Sequence, residues 1–197
     1  MGIGGLLKYR TQLFLIQSAP TEAEKPRPEW KGSRVASYRP LGRTGWKMSD
    51  ISMGSAHVTD PDVVRMALDR GINYIDTSPD YSDAESERTV GAGIRGRRDK
   101  VFVASKFCTP KGHLDKDTPV ADIIEAVEGS LRRLGTDYVD LLHIHACNSI
   151  DRLMAPTFHE AFDRLKEQGK ARFLGVSSHT PELETVMRKA VDSGRFD

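Results

Sequence analysis

From Ser37 onward, short apolar runs of strand length alternate with stretches of helical spacing, and this alternation most limits the fold. The runs are Ile51–Gly54, Ile72–Asp76, Val101–Ser105, Val139–His145 and Arg172–Ser177. Between them Val63, Val64, Ala67 and Leu68 form one stripe, and Ile123, Ile124, Val127, Leu131 and Leu134 a second. Phe158, Ala161, Phe162 and Leu165 form a third, and Leu183, Val186, Met187 and Ala190 a fourth, each spaced for one face of a helix. Asp60-Pro61 and Thr180-Pro181 read as helix starts, while Gly71 and Gly169 stand where helices stop. Strands joined through such crossovers run parallel and are covered on both faces. Ahead of them, two extended pieces between Tyr38 and Met48 flank Gly42-Arg43-Thr44-Gly45 and read as a hairpin.

Two α/β architectures fit that pattern, an open doubly wound sheet and a closed (β/α)8 barrel. No Gly-x-Gly-x-x-Gly follows the first strand, so the open dinucleotide fold lacks its fingerprint. A closed barrel takes roughly 250 residues, against 197 here. The expectation is therefore a TIM barrel represented by about five βα units and preceded by the hairpin. It occupies residues 37–197, and residues 1–36 form a poorly ordered leader or linker. Within the leader, Leu13–Ile16 is only four apolar residues between Gln12 and Gln17, shorter than a secretory core. Met1-Gly2 lacks the Ser or Thr at position 6 that myristoylation needs, and residues 21–29 are charged and proline-rich.

Charge narrows the function class. Lys plus Arg is 29 against 28 for Asp plus Glu, leaving no basic excess for nucleic acid. No apolar run approaches the ~20 residues of a membrane span. Cys108 and Cys147 make no disulfide framework and suit a reducing, cytoplasmic setting.

Chemistry-bearing residues gather at the carboxyl ends of the expected strands, where parallel barrels place their sites. Asp76 ends the second strand with Tyr81 five residues on, Lys106 follows the third, His145 ends the fourth, and Ser177 and Ser178 end the fifth. A tyrosine of ordinary pKa, near 10, is a poor acid at neutral pH; a neighbouring ammonium favours its phenolate and should lower that value. An Asp paired to the Lys keeps it charged and in place, and a His beside them can polarise a carbonyl. The set suits protonation of a carbonyl oxygen while hydride reaches carbon.

The stretches around these residues are Tyr38-Arg39-Pro40-Leu41-Gly42-Arg43-Thr44-Gly45, Gly71-Ile72-Asn73-Tyr74-Ile75-Asp76-Thr77, Asp137-Tyr138-Val139-Asp140-Leu141-Leu142-His143-Ile144-His145 and Phe173-Leu174-Gly175-Val176-Ser177-Ser178. On them, over about residues 37–197, the sequence resembles the aldo-keto reductase family. The resemblance implies a catalytic tetrad of Asp76, Tyr81, Lys106 and His145, with Tyr81 as acid/base, Lys106 and Asp76 as its tuners and His145 orienting the substrate. It implies NADP (NADPH) as cofactor and a small aldehyde or ketone as substrate. Ser177 then meets the nicotinamide carboxamide, Ser178 stands where the family has Asn, Gly54 lets the cofactor approach the backbone, and Asp76 borders it. The family's last three βα units, with its pyrophosphate and adenosine contacts, would lie beyond Asp197.

Other readings stand beside this one. His143 and His145 share one strand face and, with Asp76, His57 or His179, suggest a metal; Lys106 would put a cation in that site, so no metal is expected. A Schiff-base role for Lys106 leaves Tyr81 and Asp76 unexplained. Cys108 and Cys147, each two residues past a tetrad position, suggest thiols near the rim. The alternative from another class is a truncated, non-catalytic reductase-like protein that binds a partner or cofactor.

Overall fold

Alternating strands and helices do build a parallel sheet. The computed structural model describes residues 32–179 and 181–197; the expectations for residues 1–31 and for Thr180 lie outside them. A compact unit runs from Arg34 to Asp197, and the Val35 N–H already donates to Arg70 O. Strands β1 (Tyr38–Pro40) and β2 (Lys47–Ser49) pair antiparallel as the expected hairpin, with Gly42 and Gly45 at φ +46° and +77° in its turn.

The first parallel strand, β3, is only Met53–Gly54. Ile51 and Ser52 fall outside it because the Ser49 hydroxyl draws the Ile51 carbonyl into a turn, leaving the Ile51 side chain exposed. Helix α1 (Pro61–Asp69) starts as expected: the Asp60 carboxylate accepts the Asp62 N–H and Pro61 is its first residue. It ends before Gly71, where φ is +97° and a Cβ would sit 2.8 Å from the Tyr38 hydroxyl oxygen. Strand β4 is Tyr74–Asp76. Asn73 is absent from it because its side chain clips the hairpin, accepting from Ser49 N–H and donating to Lys47 O.

Next come α2 (Ser86–Ile94), β5 (Phe102–Lys106), a small hairpin of β6 (Cys108–Thr109) and β7 (Gly112–His113), and α3 (Val120–Leu134). The remainder is β8 (Val139–Ile144), α4 (Ile150–Leu153), α5 (Pro156–Glu167), β9 (Ala171–Val176) and α6 (Leu183–Ser193). Helix α6 begins two residues later than the Thr180-Pro181 reading, after a turn at Pro181 and Glu182. The sheet order is β3-β4-β5-β8-β9, all parallel, so each new strand adds beside the last as in a barrel wall.

Period-two alternation gives this sheet two faces. Ile75, Val103, Leu142, Ile144 and Leu174 belong to the larger core, under the helices with Val64, Val90, Ile123, Val127, Phe158 and Leu165. The opposite face carries a smaller cluster, Tyr74, Ala104 and Leu141, packed with Leu41, Met48, Phe102 and Phe173. Trp46 stacks on Phe102 at 4.3 Å and meets Phe173 edge-on at 4.8 Å. The β1–β2 hairpin thus covers the inner face near the amino ends of the strands and leaves their carboxyl ends for chemistry.

Candidate active site

Strand register brings the candidate residues onto that inner face. Gly54 pairs with Asp76, Asp76 with Ala104, and Lys106 with His143, so the side chains of Asp76, Lys106 and His143 project the same way beside Gly54. Lys106 is 3% exposed; its ammonium donates to Asp76 Oδ1 at 2.6 Å and to Thr77 O at 2.9 Å. Tyr81 comes from the β4–α2 loop and lies with Lys106 Nζ 4.8 Å from its ring centroid. Its ring meets that of His145 edge-on at 6.2 Å. The four expected catalytic residues converge from three strand ends and one loop.

Buried hydroxyls hold that loop. Ser86, at the start of α2, contacts Ser55 Oγ at 2.8 Å and Thr77 Oγ1 at 2.9 Å, and donates to Ser55 O. The chain from Ser82 to Ala84 takes φ of +50°, +52° and +71° without a glycine, and the Ser82 hydroxyl ties it to Ala56 O. Ala146, just after His145, stands at φ +47°. Left-handed backbone at non-glycine residues is held only where its surroundings enforce it, and here it follows Tyr81 and His145.

The electrostatics depart from the sequence expectation in one respect. Tyr81 is not acidified: burial first, then the carboxylates of Asp76 and Asp80, push its phenol up to about 12. The Lys106 ammonium that was to lower it is paired to Asp76, and burial and the two carboxylates outweigh its pull. His145 is held neutral, its imidazole lowered to about 4 by burial and then by His113 and Lys106. Its Nδ1 lies 3.0 Å from Ser177 Oγ, which leaves Nε2 toward Asp80, whose Oδ2 is 3.8 Å away.

His143 sits one step below. Burial, with Lys106 nearby, lowers it to about 4, and its Nε2 is 4.0 Å from Asp76 Oδ2. A Cβ on Gly175 would fall 2.7 Å from its Nδ1, so glycine is needed to admit the ring. Of the residues weighed above as metal ligands beside His143, His57 and His179 are exposed and belong to no ligand cluster among the described residues. Cys108 and Cys147 are buried rather than at an open rim.

For a nicotinamide, Ser178 Oγ is a buried hydroxyl with no hydrogen-bond partner among the described residues. A Cβ on Gly54 would meet nothing within 4 Å. Both observations suit an amide and a flat ring set against the strand ends. Sequence reasoning missed Asp80 and His113, which stand beside His145: Asp80 Oδ2 is 3.8 Å from His145 Nε2, and the two imidazoles meet edge-on at 4.3 Å. The turn residues Pro110 and Gly112 were the available signal for the hairpin that carries His113.

Comparison with known proteins agrees with this geometry. The model of the aldo/keto reductase family matches residues 41–193. The chain belongs to the aldo/keto reductase family. It is 33% identical over 174 residues to L-galactose dehydrogenase of Arabidopsis thaliana, covering 81% of this chain and 54% of that one. It is 34% identical over 166 residues to aldo-keto reductase YhdN of Bacillus subtilis, covering 77% and 50%. The holo form of aldo-keto reductase AKR11C1 from Bacillus halodurans superposes with a TM-score of 0.68 at 32% identity, covering 82% of this chain and 55% of that one. The chain spans about half the length of the curated relatives it matches. The fold is that of the TIM-barrel family, here as five parallel strands with their helices.

Proposed function

We propose that the protein reduces aldehydes or ketones to alcohols by hydride transfer from NADPH, with Tyr81 as general acid/base. The observation that carries this reading is the convergence of Tyr81, Lys106, Asp76 and His145 beside two unusual features, the orphaned Ser178 hydroxyl and the open space at Gly54. Gly54, Asp76, Ser177 and Ser178 would hold the nicotinamide end. When bound, the cofactor supplies hydride to the carbonyl carbon.

The chain's own residues do the rest. With the Ser177 hydroxyl donating to Nδ1, the neutral His145 carries its proton on Nε2 and donates it to the carbonyl oxygen. Negative charge growing on that oxygen draws the Tyr81 O–H proton across, and a phenol held near 12 keeps this proton until then. The phenolate left behind faces the Lys106 ammonium, whose attraction is stronger for phenolate than for phenol. Lys106 therefore favours the transition state over the ground state. Asp76 and Thr77 O fix Lys106 in that position.

A near-balanced charge supports a small metabolite as substrate in preference to nucleic acid; no described helix is long and apolar enough to cross a bilayer. The name of one relative, L-galactose dehydrogenase, supports a polar, hydroxylated substrate. In the full natural chain, Tyr81→Phe should cut NADPH-dependent carbonyl reduction by at least about 100-fold and leave NADPH binding, read by fluorescence, unchanged. Turnover by Tyr81→Phe at the wild-type rate would overturn the assignment. NADPH binding by the wild type without turnover of any carbonyl would favour the non-catalytic alternative.

A further inference from the structure

Beside the tetrad, four side chains of a different chemistry meet. Asp80, Cys108, His113 and His145 each offer one ligand atom, and these atoms all lie within 4.8 Å of one another. We propose that they form a Zn2+ site, in which the metal captures His145 and switches the reductase off.

Local structure already aims the donors. Cys108 and His113 are direct partners across the β6–β7 hairpin, and opposed residues of an antiparallel pair present their side chains on one face. His145 leaves the end of β8 and Asp80 the loop after β4, so four ligands arrive from three segments. The second polar atoms of Asp80 and His145 are occupied. Ser78 donates to Asp80 Oδ1, which leaves Oδ2 toward both imidazoles, at 3.5 Å from His113 Nε2 and 3.8 Å from His145 Nε2. Ser177 meets His145 Nδ1. A hydroxyl can accept as well as donate, so Ser177 also stabilises the tautomer with Nδ1–H and a bare Nε2, the one a metal requires.

The distances fit the ion. Bonds of about 2.0–2.3 Å in a tetrahedron put ligand atoms about 3.3–3.7 Å apart. The Asp80–His113 separation is already there, the Asp80–His145 separation lies just above it, and the longest in the set must close by about 1 Å. Cys108 Sγ, whose thiol now donates to the adjacent Thr109 O at 3.4 Å and lies within hydrogen-bond reach of Ser78 and Asp80, turns toward the imidazoles as it is metallated and its proton leaves to water. One thiolate, one carboxylate and two neutral imidazoles balance a divalent charge, and this mixture of soft and borderline donors favours Zn2+ over Mg2+ or Ca2+. Access is open, since the His113 side chain is 45% exposed. The Lys106 ammonium, the cation that argued against a metal here, takes none of these donors and has its charge paired to Asp76.

The test reads metal directly. In the reduced full natural chain, competition with a chromogenic zinc chelator should give one Zn2+ per chain. Co2+ in its place should give the intense visible bands of a tetrahedral site and a thiolate-to-cobalt charge-transfer band. Cys108→Ser should abolish that band, and His113→Gln, at an exposed position, should weaken Zn2+ by at least about tenfold while circular dichroism is unchanged. Zinc should inhibit carbonyl reduction by the wild type and spare His113→Gln. Absence of stoichiometric binding, or binding unchanged in both variants, would overturn the site. Full activity with Zn2+ bound would overturn capture of His145. Only the inhibition result rests on the reductase reading; cobalt spectra stand if no carbonyl is turned over, so the two can fail separately.

Discussion

At the scale of single residues, the question is what sets Tyr81's proton affinity. Its phenol is raised by burial and then by Asp76 and Asp80, although Lys106 lies against its ring. Asp76 therefore has two opposed effects: it holds Lys106 in place, and its own charge makes Tyr81 a weaker acid. Removing only the charge separates them. Asp76→Asn should lower the Tyr81 midpoint from about 12 while burial keeps it above 10. Alkaline difference absorbance, with Tyr81→Phe as reference for the lost phenol, reads this. A midpoint unmoved or raised in Asp76→Asn would show that Asp76 does not oppose ionisation of Tyr81. Carbonyl reduction should nonetheless fall, because Lys106 loses its 2.6 Å anchor.

Among the elements, α2 matters most to the site, because its first residue, Ser86, secures the Tyr81 loop. Its packing depends on close backbone approach. A Cβ on Gly91 would sit 2.3 Å from Leu134 O, a backbone atom at the end of α3 that cannot rotate away. Gly91→Ala should therefore destabilise the protein by about 1–3 kcal/mol through overpacking, despite alanine's better helix propensity. Urea unfolding of the two proteins checks this, and equal or greater stability of the alanine variant would contradict the close approach. The same packing explains why α2 was illegible in the sequence. Its buried residues are Ser86, Glu87, Thr89, Val90, Gly93 and Ile94, so no apolar stripe marks it. Glu87 is buried because Ser105 donates to one oxygen at 2.6 Å and Arg133 to the other at 2.7 Å, a pairing only the tertiary fold supplies. Helices α1, α3, α5 and α6 present aliphatic or aromatic stripes and were read from spacing, as were the five parallel strands. Strands β6 and β7 are two residues each, too short for a periodic signal, and so His113 and Asp80 were not associated with His145. Asp76, Lys106 and His145 were legible because a parallel sheet sends its carboxyl-end residues to one place.

For the molecule as a whole, the two-faced sheet stores neutral imidazoles on its inner side, and this ties global stability to pH. His143 and His145 are both lowered to about 4, burial being the first cause in each. In the unfolded chain an imidazole takes up its proton near 6.5. Between those values the unfolded chain binds more protons than the folded one, so acid draws the equilibrium toward unfolding. This part of the stability is complete above about pH 6.5 and is lost as pH falls toward 4. For His143, deep beneath the site, the loss is on the order of 3 kcal/mol; His145, nearer solvent, contributes less because water screens it. Urea midpoints measured from pH 7 down to pH 4 should fall more steeply for the wild type than for His143→Gln, which cannot titrate. Parallel curves for the two proteins would mean that His143 is protonated within the fold at no cost, and that Gly175 makes room for a charged ring rather than a neutral one.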